Sequence, residues 1–496
     1  MTKNDDEQKA LPNFTENFSE WFNDVLFKAE IIDYRYNLKG CGVWLAYGYK
    51  VRRNVLKIMR NLLENTPIPH GEYLFPLLIP EKEFMKEAEH IKGFEDEVYW
   101  VTHGGLSELD VKLALRPTSE TAIYPMMEKW IRSHQDLPLK TYQIVNTFRY
   151  EGKNTRSLIR VREITTFKEA HTCHTDAASC QAQIREAIGV YKQFFDDLGV
   201  PYVVSKRPKW DTFPGAQYSI AFDCIFPQTH KTLQIGTVHN LGQNFAKTFD
   251  IQYETVDGEQ EYVYQTCYGI SERVIAALVA SHGDNYGIKL PSKIAPIQVA
   301  IVPIIFKKNK EKVLNECNKL KEELESSGIK VRLDERDVRT GKKFYYWELR
   351  GVPLRIEIGP REVDDEKICL VRRDSKDKEF VPRENAIEKT KALLDKVQED
   401  LFTAANKRHE DWILRTDDLR EALAFIDEDK GITEIPFCGD EDCASVIEKK
   451  IEGLTFLGIP EKYLTELNEN SKEEKDAYCV NCSKPVKAYW RMGKTF

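Results

Sequence analysis

Between Val51 and Leu63, apolar residues fall at Val51, Val55, Ile58, Met59 and Leu62. This spacing returns to one side of a helix and predicts one there, stopped by the segment from Thr66 to Pro69. The run YLFPLLIP, Tyr73 to Pro80, is short and continuously apolar, which predicts a buried strand. Two further strands are predicted in TYQIVNTFRYE and IRVREITTFKEA, separated by the polar GKNTRSL, so they form a long antiparallel hairpin whose tip can fold over a ligand. Around LPSKIAP, Leu290 to Pro296, proline and small polar residues mark a linker. Beyond it come the apolar strand IQVAIVPII and a helix with Val313, Leu314, Cys317, Leu320 and Leu324 on one face, closed by Ser326, Ser327 and Gly328. Strands then carry Ile329, Val331 and Leu333, and later Leu354, Ile356 and Ile358, a succession that predicts a small α/β domain. From about Leu401 the chain is highly charged. The expected organisation is a mobile tail over 1–16, a mixed helix and strand domain over 17–290, the α/β domain over 291–400 and a third region over 401–496.

Composition narrows the class. With 42% apolar and 11% aromatic residues the chain can build sizeable cores, so it is neither disordered nor fibrous. No stretch approaches the roughly 20 uninterrupted apolar residues that span a bilayer. The start MTKNDDEQKALPNF is polar, with no apolar signal core, so the expected location is the cytoplasm, away from membranes. Eleven cysteines, an odd number mostly placed singly (Cys41, Cys224, Cys317, Cys369), fit a reducing compartment. The net charge of -8 argues against nonspecific coating of nucleic acid and leaves open a local basic face.

Charged positions add candidate chemistry to the predicted hairpin. Strand alternation places Arg149 and Glu151 on one side, with Arg160 and Arg162 able to face them from the partner strand. Two readings stand: a solvated face of cross-strand ion pairs, or a triphosphate site, because guanidinium groups bind phosphate oxygens in pairs. In YGISERVIAAL, Gly269 and Ser271 precede a helical pattern, which puts Arg273 in a first helical turn. A cation there opposes the helix dipole unless it meets a bound anion or reaches back to a surface carboxylate. Near the end, Cys438 and Cys443 form a C-x4-C arm, and Cys479 and Cys482 a C-x2-C arm. Four thiolates in two short-spaced pairs can close a tetrahedral structural Zn2+ site, against the alternative of free reduced thiols.

In combination these segments resemble a family. FRYE followed by RVRE is similar to the second signature motif of class II aminoacyl-tRNA synthetases, and GISER to the third, whose arginine holds the terminal phosphate of ATP. The helix followed by YLFPLLIP is similar to the first motif, which builds a homodimer interface and ends in a proline, here Pro80. RPTSET, Arg116 to Thr121, and TVHNLGQNFAK, Thr237 to Lys247, resemble the proline-binding stretches of the prolyl branch in its archaeal and eukaryotic form. The resemblance runs over nearly the whole chain from about Phe14. It implies an α/β multidomain enzyme: an antiparallel-sheet catalytic core, an α/β anticodon-binding domain, and a small zinc-containing C-terminal domain.

The resemblance also implies a function and a site. The activity is ATP-dependent ligation of L-proline to tRNA(Pro) through prolyl-adenylate. Arg149 would contact the α-phosphate and the substrate carboxylate, Glu151 the adenine, and Arg160 and Arg273 the outer phosphates, with Gln234 and Thr237 at nucleotide-contacting positions. Thr118, Glu120, Arg149 and His239 would contact proline, Phe167 and Phe245 would shape an apolar wall, and Mg2+ would assist. A secondary ammonium in a small apolar pocket needs a carboxylate and acceptors, so these residue types are apt. Read alone, PTSE is equally a helix-capping box and His239 a core histidine. In residues 335–351 basic side chains interleave with Phe344, Tyr345, Tyr346 and Trp347, which suits single-stranded RNA or, equally, a packed aromatic cluster under a solvated face.

Three contrasts sharpen this expectation. A threonyl enzyme of the same subclass would use metal ligands in its amino-acid pocket, and a silent paralogue would typically lose motif arginines. About ninety residues separate Thr172 from Gln265, an interval in which bacterial relatives place a large editing domain, so cis-editing is expected to be absent. Where the family commonly ends in a tyrosine near the active site, this chain ends in Phe496.

Overall fold

The computed structural model describes residues 10–86, 97–152, 155–465, 467, 473–474 and 477–496. An eleven-stranded sheet forms its spine. Seven of the strands come from the first domain, in the spatial order Val203–Lys206, Tyr218–Ile225, Thr232–Gly242, Tyr264–Ile270, Glu163–His174, Leu139–Phe148 and Gly71–Glu72, all antiparallel except the short last pair. One face packs against the helix Ala177–Leu198, whose Tyr191, Phe194 and Phe195 are fully buried. Burying side chains of this size contributes about 1.5–3 kcal/mol each, which fixes this face as the core.

The helix expected over 51–63 spans Ala46–Glu64 and buries Val51, Val55 and Met59. It begins earlier than its periodicity signals because Gly48 lets it close onto the chain at Ile31, where a Cβ would stand 2.0 Å from a carbonyl oxygen. Phe14, expected in the mobile tail, packs edge-on against Trp21 with ring centroids 4.6 Å apart. Residues 1–9 of that tail lie outside the described residues.

Two strand expectations need correction. In Tyr73–Pro80 only Leu78–Pro80 is strand; Phe75 and Ile79 are buried, whereas Tyr73, Leu74, Leu77 and Leu78 are exposed, Leu74 at 83%. An apolar run therefore faces outward, as interaction surfaces do. The hairpin strands are Leu139–Phe148 and Glu163–His174, so Arg149, Glu151, Arg160 and Arg162 lie in the connection rather than on the ladder. The connection folds back at Leu158, which has positive φ, and buries Leu158, Ile159 and Val161. This burial overrides the alternation. Lys153 and Asn154 of the expected tip lie outside the described residues.

The α/β region has a five-stranded sheet in the order Val331–Leu333, Val299–Pro303, Leu354–Ile358, Lys367–Arg372, Lys378–Pro382, with the first three parallel. The helix Lys310–Ser326 buries Val313, Cys317, Leu320 and Leu324 against it, as its periodicity predicts, whereas Leu314, expected on the same face, is only half-buried. The last region does not stand apart. Its strands Ile413–Arg415, Ile432–Pro436, Tyr489–Lys494 and Leu454–Pro460 extend the spine, the join being Ile459 opposite Lys206 and Pro460 opposite Ser205.

Candidate active site

On the sheet face opposite helix Ala177–Leu198, adjacent strands present side chains in rows. His239 stands opposite Cys267 and Cys267 opposite His171. In the next row Thr237 faces Gly269, Gly269 faces Glu169, and Glu169 faces Gln143. Having no side chain at Gly269 keeps the floor open between Thr237 and Glu169. The resulting cavity, about 290 Å³, is lined by Arg149, Glu151, Arg160, Gln234, Thr237 and Arg273, and by Thr118, Glu120 and His239. Every residue expected at the nucleotide and the proline is thus brought to one space.

Arg273 opens the helix Arg273–His282, and its Nε donates to the Ile159 carbonyl at 2.9 Å rather than to a surface carboxylate. Burial, with Arg149 and Arg160 nearby, pulls its pKa down to about 10. Burial also lowers that of Arg149, whose backbone N–H donates to Arg162 O at 2.9 Å. Arg160 is 3.6 Å from Glu151. Three guanidinium groups crowding one cavity repel one another, and a polyanion would relieve that cost.

The helix Glu120–Trp130 begins at Ser119, whose side chain makes no cap bond, so the capping box is not formed. Thr118 Oγ1 instead donates to Glu120. His239 Nδ1 is 2.7 Å from Ser219 Oγ, and burial drives its pKa down to about 3, leaving the imidazole neutral. Phe167 lines the cavity. Phe245 does not: it lies one layer behind, stacked on Phe213 at 6.3 Å, and Phe213 forms the wall 4.8 Å from the His239 ring.

Two further expectations fall elsewhere. The Cys438, Cys443, Cys479 and Cys482 sulfurs lie within 4.8 Å of one another, with Asn481 donating to Cys443 at 3.1 Å. Such a set fits a tetrahedral zinc ion. In helix Thr340–Leu349, Trp347 is buried, Tyr346 is sandwiched between Arg336 and Arg350 at 3.7 and 3.4 Å, and Arg355 covers Phe344 at 4.0 Å. The cluster is largely packed, and Tyr345 is exposed.

The chain matches the family model "tRNA synthetase class II core domain (G, H, P, S and T)" over residues 99–282, "Anticodon binding domain" over 298–393 and "Prolyl-tRNA synthetase, C-terminal" over 419–496. It is 52% identical to the proline–tRNA ligase of Methanothermobacter thermautotrophicus, covering 94% of this chain and 93% of that one. The chain belongs to the prolyl-tRNA synthetases. It is also 52% identical to the proline–tRNA ligase of Methanococcoides burtonii, covering 99% of each. Its fold is similar to that of the Giardia lamblia prolyl-tRNA synthetase solved in complex with prolyl-adenylate, with a TM-score of 0.92 and 36% identity over 98% of this chain and 100% of that one.

For a prolyl-tRNA synthetase, the sequence left several cavity residues unread. Phe213 lies within an irregular stretch, Lys209 to Gln217, without periodicity, and Ser219 comes just after it. Glu169 carried a signal: alternation from Phe167 places Phe167, Glu169 and His171 on one face. Burial works to raise the Glu169 pKa, but hydrogen bonds with His171, Ser119 and Gln143 outweigh it and hold the carboxylate ionised. The terminal Phe496 packs 4.7 Å from Phe226 and lines a neighbouring cavity that shares Arg160, Gln234 and Arg273 with this synthetase's site.

Proposed function

We propose that this prolyl-tRNA synthetase binds ATP and L-proline side by side in the cavity of Arg149, Arg160 and Arg273 and ligates proline to tRNA(Pro) in two steps. The observation that carries the reading is the convergence of those three guanidinium groups on one cavity that also holds Thr118, Glu120 and His239. A triphosphate satisfies the first set and a secondary ammonium the second. The proline carboxylate attacks the α-phosphorus, pyrophosphate leaves, and prolyl-adenylate remains. A ribose hydroxyl at the tRNA 3′ end then attacks the carbonyl carbon and AMP leaves. Arg149 steadies the α-phosphate and the carboxylate, Glu151 takes the adenine, and Arg160 and Arg273 hold the outer phosphates, with Gln234 and Thr237 beside the nucleotide. Thr118 and Glu120 receive the imino N–H groups, and neutral His239 with Phe167 and Phe213 closes an apolar wall. Positioning and charge neutralisation then supply most of the catalysis.

Mg2+ fits beside the outer phosphates. Gln234 faces Asp223 across its strand pair, and Asp223 Oδ2 is buried without a hydrogen-bond partner. These oxygens would hold the ion, which when bound draws charge from the phosphates. Zn2+ at the four cysteines would staple the C-terminal region. The domain over 291–400 would read the anticodon, and the exposed Tyr73, Leu74, Leu77 and Leu78 would close a homodimer. Eleven free cysteines suit the cytoplasm, and among the described residues no helix is long and apolar enough to cross a membrane.

The test is a trapping experiment. Enzyme, ATP and labelled proline are passed through rapid gel filtration, and tRNA is added to the protein fraction. Label should co-elute with protein only when ATP is present and then move to tRNA. Free label in every fraction would remove the adenylate reading.

A further inference from the structure

Cys267 and His171 are direct cross-strand partners on the cavity face of the sheet, and Glu120 reaches the same point from the start of its helix. One donor atom from each, a sulfur, an imidazole nitrogen and a carboxylate oxygen, lies within 4.8 Å of the other two, and all three residues are buried. Cys267 Sγ is 3.7 Å from Glu120 Oε1. Tyr124 OH stands 3.0 Å from His171 Nδ1, and Glu169, itself on the cavity lining, has its Oε2 3.4 Å from His171 Nε2. Either contact can orient the ring through one nitrogen, as an outer-shell partner orients a metal-bound histidine, while the other nitrogen exchanges its contact for the metal. A sulfur, nitrogen and oxygen set suits a borderline-soft divalent ion held by three protein ligands with a fourth position open. A hard cation prefers oxygen ligands alone. Glu120 and Cys267 line the cavity, so the fourth position opens where a small ligand enters.

We propose that Glu120, His171 and Cys267 form a binding site for Zn2+ or a like ion at the floor of the cavity, filled when no amino acid is bound. Binding forms a sulfur–metal bond and releases the Cys267 thiol proton to solvent. The ion draws Glu120 away from Thr118, so the metal and the imino group of proline compete for one carboxylate. That competition rests on the assignment of this cavity to proline; the metal site does not. Zn2+ is then an inhibitor that raises KM for proline and leaves kcat unchanged. This site is separate from the four-cysteine site near the C-terminus.

The test uses full-length enzyme whose four-cysteine site already carries Zn2+, titrated with Co2+ beside Cys267→Ser treated identically. Cobalt exchanging into the four-cysteine site appears in both proteins and cancels. The expected result is one additional Co2+ per chain with a thiolate-to-cobalt absorption band, lost in Cys267→Ser and displaced by L-proline but not by L-leucine. Should Cys267→Ser fail to fold, His171→Asn serves instead and is expected to weaken Co2+ binding at least tenfold. No band beyond that of the variant overturns the site. A band that proline leaves in place, in enzyme that activates proline normally, overturns the competition. A band in protein that does not activate proline keeps the metal site and removes the proline assignment.

Discussion

Arg273 shows how one side chain connects local structure to chemistry. It opens a helix, where the dipole disfavours a cation, and it shares a cavity with Arg149 and Arg160. Such a residue lowers stability in the empty protein and contributes when phosphate arrives. Arg273→Ala is therefore expected to reduce steady-state proline activation about 10²–10³-fold while leaving the melting temperature unchanged or higher. A large fall in melting temperature would show that Arg273 is structural. At this scale the sequence was informative: the nine residues expected to contact the nucleotide or proline, and Phe167 of the expected wall, line the cavity, because each sits in a segment whose residue types match its chemistry. Phe213 escaped because nothing in WDTFPGAQ distinguishes a pocket wall from a loop.

Elements were legible where one face is buried and misread where that rule breaks. The helix Lys310–Ser326 follows its apolar stripe, whereas Tyr73–Pro80 carries an apolar run on an exposed segment. The charged residues after Phe148 leave the ladder because Leu158, Ile159 and Val161 take the buried positions. The join between the C-terminal strands and the catalytic sheet had no signal at all, since pairing between distant strands leaves no periodic mark. Gly458 makes that join possible. It sits at a bulge with φ +106, and a Cβ would lie 1.9 Å from the Lys206 carbonyl oxygen. Gly458→Ala is expected to cost about 1–3 kcal/mol or more, read as a lower denaturation midpoint, with the loss concentrated in hydrogen-exchange protection of Val203–Lys206 and Leu454–Pro460. Unchanged protection there would mean that the two sheets are not joined as described.

At the scale of the whole molecule, five buried histidines set the acid limit. Burial lowers the pKa of His70, His239, His282 and His409 to about 3 and that of His174 to about 4, from 6.5. Below pH 6.5 the unfolded chain binds protons that the folded chain refuses, so stability falls as pH drops toward those values. Each histidine contributes up to about 1.4 kcal/mol per pH unit. Glu272 opposes this: burial raises its pKa to about 7, so between its usual 4.5 and 7 folding takes up a proton. The net expectation is a steep fall in melting temperature between pH 6.5 and 5, and a flat profile would contradict the burial of these rings. Assembly is tested separately by sedimentation velocity. Leu74→Glu should convert a dimer into monomers, and a monomeric wild type would remove the homodimer.

The central claim is that the arginine-lined cavity activates proline, and the most direct measurement is exchange of labelled pyrophosphate into ATP. Proline, threonine, alanine and cysteine are each supplied alone, to the wild type and to Arg149→Ala. Exchange dominated by proline in the wild type and reduced at least about 100-fold in the variant is the expected result. Absence of exchange with every amino acid, from folded protein with its four-cysteine site filled, or undiminished exchange in Arg149→Ala, would contradict the claim.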